Sequence, residues 1–146
     1  MTRAARRRWW IVIYVCGYSL GACAPDAPEG IPTEVPWVRG IRTTPSFRTD
    51  IQEIFTRRSC TTAGCHDASS PLPLTAGASY AALVRAPATA EPAIRVIPYD
   101  PVASYLLRRL EGTQAIGSRM PLGAAPLDSI DLANLRAWIR QGALPN

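Results

Sequence analysis

Residues 59–67 read SCTTAGCHD and place two cysteines and the chain's only histidine within nine positions. Four residues separate Cys60 from Cys65, and His66 follows the second cysteine directly. Proteins use such a cluster to attach a haem covalently, to coordinate a metal ion or to close a small disulfide loop. The sequence on either side of the cluster bears on which of the three applies.

The N-terminus has the pattern of an export signal. Four arginines within residues 3–8 precede the apolar run WWIVIYVCGYSL, residues 9–20, as in a signal peptide. This run of twelve residues is short for a helix that crosses a bilayer. Residues 20–23, LGAC, resemble the lipobox of bacterial lipoproteins, in which the signal is cleaved before a cysteine that then carries lipid. The resemblance implies a lipoprotein signal peptide over residues 1–22 and a lipid anchor on Cys23; a plain secretory signal or an uncleaved short anchor is the alternative.

Export leaves two cysteines for the folded domain. Cys16 lies within the signal and Cys23 is at the lipidation position, so Cys60 and Cys65 remain. In an oxidising compartment such a pair forms a disulfide unless another reaction consumes the thiols. We therefore expect an exported protein of the cell envelope or periplasm that is lipid-anchored to a membrane.

A proline-rich linker is expected between the anchor and the folded domain. Residues 23–45 contain the lipidated cysteine and five of the chain's fourteen prolines, and the domain is then residues 46–146. The net charge of +5 does not indicate a nucleic-acid partner, because four of the sixteen basic residues lie in the signal. From Cys23 onward twelve arginines face eleven carboxylates, a balance of +1 that leaves no broad basic surface for a phosphate backbone.

Residues 46–146 predict a small all-α domain of about four helices. Apolar residues recur at helical spacing in four segments, and few stretches alternate as strands do. Residue types that favour N-caps begin these segments, and glycine ends the last two. The predicted helices are residues 46–58 with Ser46 or Thr49 as N-cap, 79–84, 100–112 with Asp100 as N-cap and Pro101 in the first turn, and 128–142 with Asp128 as N-cap.

The order of these features resembles that of class I c-type cytochromes. A helix, a Cys-x-n-Cys-His motif, a middle helix, a loop with Arg119-Met120-Pro121 and a last helix with Trp138 follow one another over residues 46–144. The resemblance is to the cytochrome c domain proteins common in bacterial cell envelopes. Two residues separate the cysteines in the common motif of that family; the four found here match a longer spacing that occurs in some of its members.

The resemblance implies one covalently bound haem c. Cys60 and Cys65 would form thioethers with the haem, and His66 would bind the iron from one side. Met120, the one methionine after the initiator, would bind it from the other side. Arg119 would pair with a haem propionate. The implied function is single-electron transfer between redox protein partners, by a carrier that is not itself an enzyme, alone or as a subunit of a larger oxidoreductase.

The ring nitrogen of His66 that faces away from the iron needs a hydrogen-bond acceptor. Pro71 and Pro73 favour an extended path for the chain that follows. We therefore expect a backbone carbonyl of residues 71–73 to accept this bond.

Other interpretations of the cluster remain open. Cys60 and Cys65 can form a disulfide in a haem-less lipoprotein of cytochrome-like fold that serves as a binding or structural module. A zinc ion would find three ligands in the cluster and no evident fourth. No Ser-His-Asp arrangement, phosphate-binding loop or paired carboxylates in a pocket indicates an enzyme.

Overall fold

Four short helices joined by long loops make up residues 39–146, the part of the chain that the computed structural model describes. Within this range no strand forms, although three isolated β-bridges pair single residues, so the predicted all-α class is confirmed for it. No helix there has both the length and the apolar character to cross a bilayer. The predicted signal peptide, the lipidation of Cys23 and the linker up to residue 38 lie outside the described residues. A π-helical turn, Phe47–Ile51, leads into α1, Gln52–Arg57, and the others are α2, Ser79–Leu83, α3, Tyr105–Glu111, and α4, Ser129–Arg140.

The first helical segment is capped by the C-terminus of the chain. Ser46 directly precedes the helical backbone, but its hydroxyl donates to the main-chain carbonyl of Asn146 at 2.8 Å. The side-chain oxygen of Asn146 accepts the Phe47 N–H at 3.0 Å, and its main-chain carbonyl accepts the Arg48 N–H at 2.9 Å. The predicted N-cap position, Ser46, is therefore confirmed, but its side chain makes no capping bond, because Asn146 satisfies the first amides instead.

The third helix begins four residues later than predicted, at the N-cap Ser104. Asp100 shapes only the preceding turn, where its carboxylate accepts a backbone N–H at 2.9 Å. The Ser104 hydroxyl donates to the Asp100 carbonyl at 2.7 Å and accepts another backbone N–H at 2.9 Å. These bonds hold a turn ahead of α3 and leave Val102 85% exposed. Gly112 ends α3 in the left-handed conformation at φ +79°, as predicted.

The last helix forms as predicted and contributes the centre of the hydrophobic core. The Asp128 carboxylate accepts the N–H groups of Ile130 at 3.1 Å and Asp131 at 3.0 Å, which makes it the N-cap of α4. Trp138 is 1% exposed, and its ring centroid lies 5.1 Å from that of Phe47. The core joins the π-helical turn and all four helices; its members from these elements are Phe47, Ile51, Ile54, Phe55, Leu83, Leu107, Leu110, Leu135, Trp138 and Ile139.

Residues 39–45, the end of the predicted linker, lie along α4. The Arg39 guanidinium donates to Asp131, whose side chain is 2% exposed, at 3.1 Å. The Asn134 side-chain amide donates to the Gly40 carbonyl at 3.0 Å, and Gln141 donates to a carbonyl of the same segment. These bonds fix the direction in which the chain enters the domain.

Candidate haem-binding site

The turn after α1 places Cys60, Cys65 and His66 in one loop. The Cys60 N–H donates to the Phe55 carbonyl at 2.9 Å, and the Cys60 carbonyl accepts the His66 N–H at 3.0 Å. The two ends of the motif are thereby held side by side, while residues 62–64 between them are exposed. The two residues beyond the common spacing thus have room in solvent and do not separate Cys60 from His66.

Gly64 and Asp67 give this loop its shape. Gly64 has a φ of +79°, a left-handed conformation that glycine adopts without steric strain. Its N–H donates to the Asp67 carboxylate at 3.1 Å, and the same carboxylate accepts the N–H and hydroxyl of Ser69 at 2.8 and 2.6 Å. The bonds from Ser69 and then from Gly64 lower the pKa of Asp67. A charged Asp67 therefore holds the loop at neutral pH.

The two cysteine side chains differ in their surroundings. Cys60 is half-buried and packs against the hydrophobic core, whereas Cys65 is exposed. Burial raises the pKa of the Cys60 thiol, which is consequently neutral at pH 7. Both cysteines are free thiols, so the disulfide considered as an alternative is not formed in the structure.

The His66 ring is oriented by a backbone carbonyl. Its Nδ1 atom lies 3.0 Å from the carbonyl oxygen of Leu72, which confirms the predicted acceptor within residues 71–73. A carbonyl oxygen only accepts, so Nδ1 carries the hydrogen, and the tautomer that this bond favours has its lone pair at Nε2. The His66 backbone is held as well, because its carbonyl accepts the Leu74 N–H at 2.8 Å. Outer hydrogen bonds of this kind orient metal-bound histidines and make them stronger ligands.

Met120 lies in the loop between α3 and α4. It is half-buried and packs against the same hydrophobic core as Cys60 and Leu72. Its N–H donates to the Arg109 carbonyl near the end of α3 at 2.8 Å. The fold thus attaches the cysteine turn and the methionine loop to one core, although Met120 lies 54 positions after His66 in the sequence.

Gln114 and Arg119 in this loop, and Tyr105 and Arg108 in the preceding helix α3, each have a buried side-chain atom without a hydrogen-bond partner. The Arg119 Nη2 atom donates to the Ala124 carbonyl at 3.3 Å, but Nη1 is buried and unpartnered. The Tyr105 hydroxyl is also buried and unpartnered, and the Arg108 and Arg109 guanidinium carbons lie 5.2 and 5.9 Å from its ring centroid. A buried donor without an acceptor costs about 1–3 kcal/mol, so each of these donors fits an acceptor that the protein itself does not supply.

The sequence did not single out the Tyr105 hydroxyl. Tyrosine at the start of a helix is most simply a core residue, and no pattern along the chain indicates whether its oxygen finds a partner. Only the packing of α3 shows that the Tyr105 hydroxyl is buried without a hydrogen-bond partner.

Two open grooves in the described part of the chain lie away from Cys60, Cys65, His66 and Met120. An open groove of about 400 Å³ is lined by residues such as Arg136 and Gln141, and another of about 480 Å³ by residues such as Ile94 and Arg108. Among the described residues no group of three or more His, Cys, Asp or Glu side chains is arranged to hold a metal ion. The donor set that the structure presents is instead an oriented imidazole, two free thiols and a thioether. Thiols that add to vinyl groups, with imidazole and thioether as iron ligands, are the groups that c-type cytochromes with His/Met ligation use.

Comparisons of the chain with protein-family models, with curated proteins and with solved structures found no match. The assignment of a function therefore depends on the residues themselves.

Proposed function

We propose that this protein is a membrane-tethered c-type cytochrome that has one covalently attached haem and transfers single electrons in the cell envelope. The observation that carries this proposal is the hydrogen bond between His66 Nδ1 and the Leu72 carbonyl, at 3.0 Å. It leaves Nε2 as the free ligand atom, directly after a cysteine and in a loop whose two thiols are free. A solvent-exposed histidine beside a disulfide would need no such orientation.

Cys60 and Cys65 would hold the haem covalently. Each thiol adds across one vinyl group, so that a carbon–sulfur bond forms, the thiol hydrogen passes to the other vinyl carbon and no oxidant is consumed. The half-buried Cys60 lies against the core. The exposed Cys65 follows residues 62–64, which are themselves exposed to solvent.

His66 and Met120 would hold the iron from its two sides. When bound, the haem iron supplies the redox chemistry by cycling between the ferrous and ferric states. The methionine thioether is a neutral, soft donor, and His/Met ligation raises the reduction potential. The unpartnered Arg119 Nη1 supports the pairing of this side chain with a propionate, which would supply the missing acceptor.

The proposal is tested on the full chain, produced in a host that attaches haem to exported proteins. We expect a pyridine haemochrome spectrum and a mass increase of one haem. The matched control is the Cys60→Ala/Cys65→Ala double variant, which should be colourless. A colourless wild-type protein of unmodified mass that releases two thiols on reduction would contradict the proposal and support the haem-less module with a Cys60–Cys65 disulfide.

A further inference from the structure

The loop that contains Met120 is attached unevenly to the rest of the domain. Before Met120, the Glu91 carboxylate accepts the N–H groups of Ala115 and Ile116 at 2.7 and 2.9 Å, and the Met120 N–H is bound to α3. After Met120, residues 122–126 are exposed. Within the described part of the chain, the hydrogen bonds that connect residues 121–126 to anything outside this loop all end on one side chain.

That side chain is Arg58. Its Nη2 atom donates to the carbonyl of Ala125 at 2.6 Å and to that of Pro126 at 2.8 Å, 67 and 68 residues away in the sequence. Arg58 is also the C-cap residue of α1, where its N–H donates to the Ile54 carbonyl at 3.0 Å. In the chain it precedes Cys60 by only two positions. One residue therefore connects the cysteine turn to the segment that follows Met120.

We propose that Arg58 is a positioning residue that keeps Met120 at the iron. This inference rests on the proposed function. A thioether is a weak, uncharged donor, so its bond to iron depends on how firmly the protein holds the loop. Without the guanidinium, residues 121–126 lose their attachment to the haem-binding turn, and Met120 gives way more readily to external ligands. Arg58 thus controls the potential and the accessibility of the iron without touching it.

The experiment compares three variants of the haem-loaded full chain. Arg58→Leu removes the donor and keeps an apolar stem. Arg58→Lys keeps a charged donor, but its side chain is one bond shorter than the path to the Arg58 Nη2 atom, which makes both bonds. The matched control is Arg48→Leu, since Arg48 also donates to a proline carbonyl, that of Pro145 at 3.1 Å, but in the C-terminal segment. The measurements are haem content, midpoint potential, the red absorption band of the ferric iron–methionine bond, and the affinity of the ferric protein for imidazole.

We expect Arg58→Leu to keep its covalent haem, to weaken the red band, to lower the potential and to bind imidazole about 10-fold more tightly. Arg58→Lys should lie between this variant and the wild type, and Arg48→Leu should match the wild type. If Arg58→Leu yields too little holoprotein, the inference is tested by the potential, the red band and the imidazole affinity of Arg58→Lys alone.

Arg58 variants that keep the potential, the band and the imidazole affinity of Arg48→Leu would overturn the inference and leave the proposed function standing. A wild-type holoprotein without the iron–methionine band would overturn it too, because Met120 would then not be the ligand. Absence of haem from the wild type is the separate outcome that contradicts the proposed function itself.

Discussion

Replacing Gly64 by alanine tests whether the loop between the cysteines has to adopt its left-handed turn. A Cβ atom at this position would meet nothing within 4 Å, so the substitution causes no clash and acts only through the backbone. A φ of +79° costs a non-glycine residue about 1–2 kcal/mol, and the reduced freedom of the unfolded chain offsets about 0.4–1 kcal/mol of this. We expect the free energy of unfolding to fall by about 1 kcal/mol, or the melting temperature by about 4–8 °C.

Gly77 provides the matched control. Its φ is +85°, and a Cβ there would also meet nothing within 4 Å, but it lies outside the motif. Gly64→Ala and Gly77→Ala should therefore lose equal stability in urea unfolding of the full chain. Gly64→Ala alone should also yield less haem-loaded protein, because its strain falls between the two attachment points. Gly64→Asn should lose less than Gly64→Ala, since asparagine tolerates this conformation better.

Two results would refute this reasoning. If Gly64→Ala is as stable as the wild type while Gly77→Ala is destabilised, the loop does not require the left-handed turn. If both variants reduce the haem content equally, the yield depends on overall stability and not on the shape of the motif.

Three further predictions concern the ligand, the last helix and the anchor. Met120→Ala should keep the covalent haem, lower the midpoint potential and let carbon monoxide bind the ferrous iron, as measured by redox titration and absorption; an unchanged potential would argue against methionine ligation. Asp128→Ala should lower the free energy of unfolding by about 1 kcal/mol through loss of the N-cap. Asp128→Asn still caps and should lose only the solvent-screened pair with Arg39, so it should be more stable than Asp128→Ala. The bond from the Asp131 N–H and then that from Arg39 lower the pKa of Asp128 in the folded state. The wild type should therefore have a larger free energy of unfolding than Asp128→Asn above about pH 4, and this difference should disappear as the pH falls through the lower folded-state pKa. Urea unfolding at several pH values measures the difference and its direction. Cys23→Ser should move the protein from the membrane to the soluble fraction on cell fractionation, and a variant that stays in the membrane would contradict lipid anchoring at this residue.

Much of the candidate site follows from short-range patterns. A proline-flanked segment after His66 predicts the backbone acceptor for its ring, and the Leu72 carbonyl provides it. Asp128 and Gly112 act as the helix signals that their residue types predict, because capping involves only neighbouring amides. The start of α3 is different, since its first two amides donate to the carbonyls of Ile94 and Arg95 and the Ser104 hydroxyl holds the turn before the helix. Spacing alone does not reveal these bonds.

The sequence by itself determined the residue types of the site and their local geometry: a cysteine pair, an oriented histidine, a lone methionine and the helices around them. Tertiary structure alone decided that Asn146 caps the first helical turn, that the Tyr105 hydroxyl and Arg119 Nη1 are left without partners, and that Arg58 holds the loop after Met120. The physical reason is how far apart in the sequence the interacting residues lie. A cap or a turn is satisfied by atoms a few residues away, whereas a guanidinium that bonds to a carbonyl 67 residues distant does so only after the core has brought the two segments together.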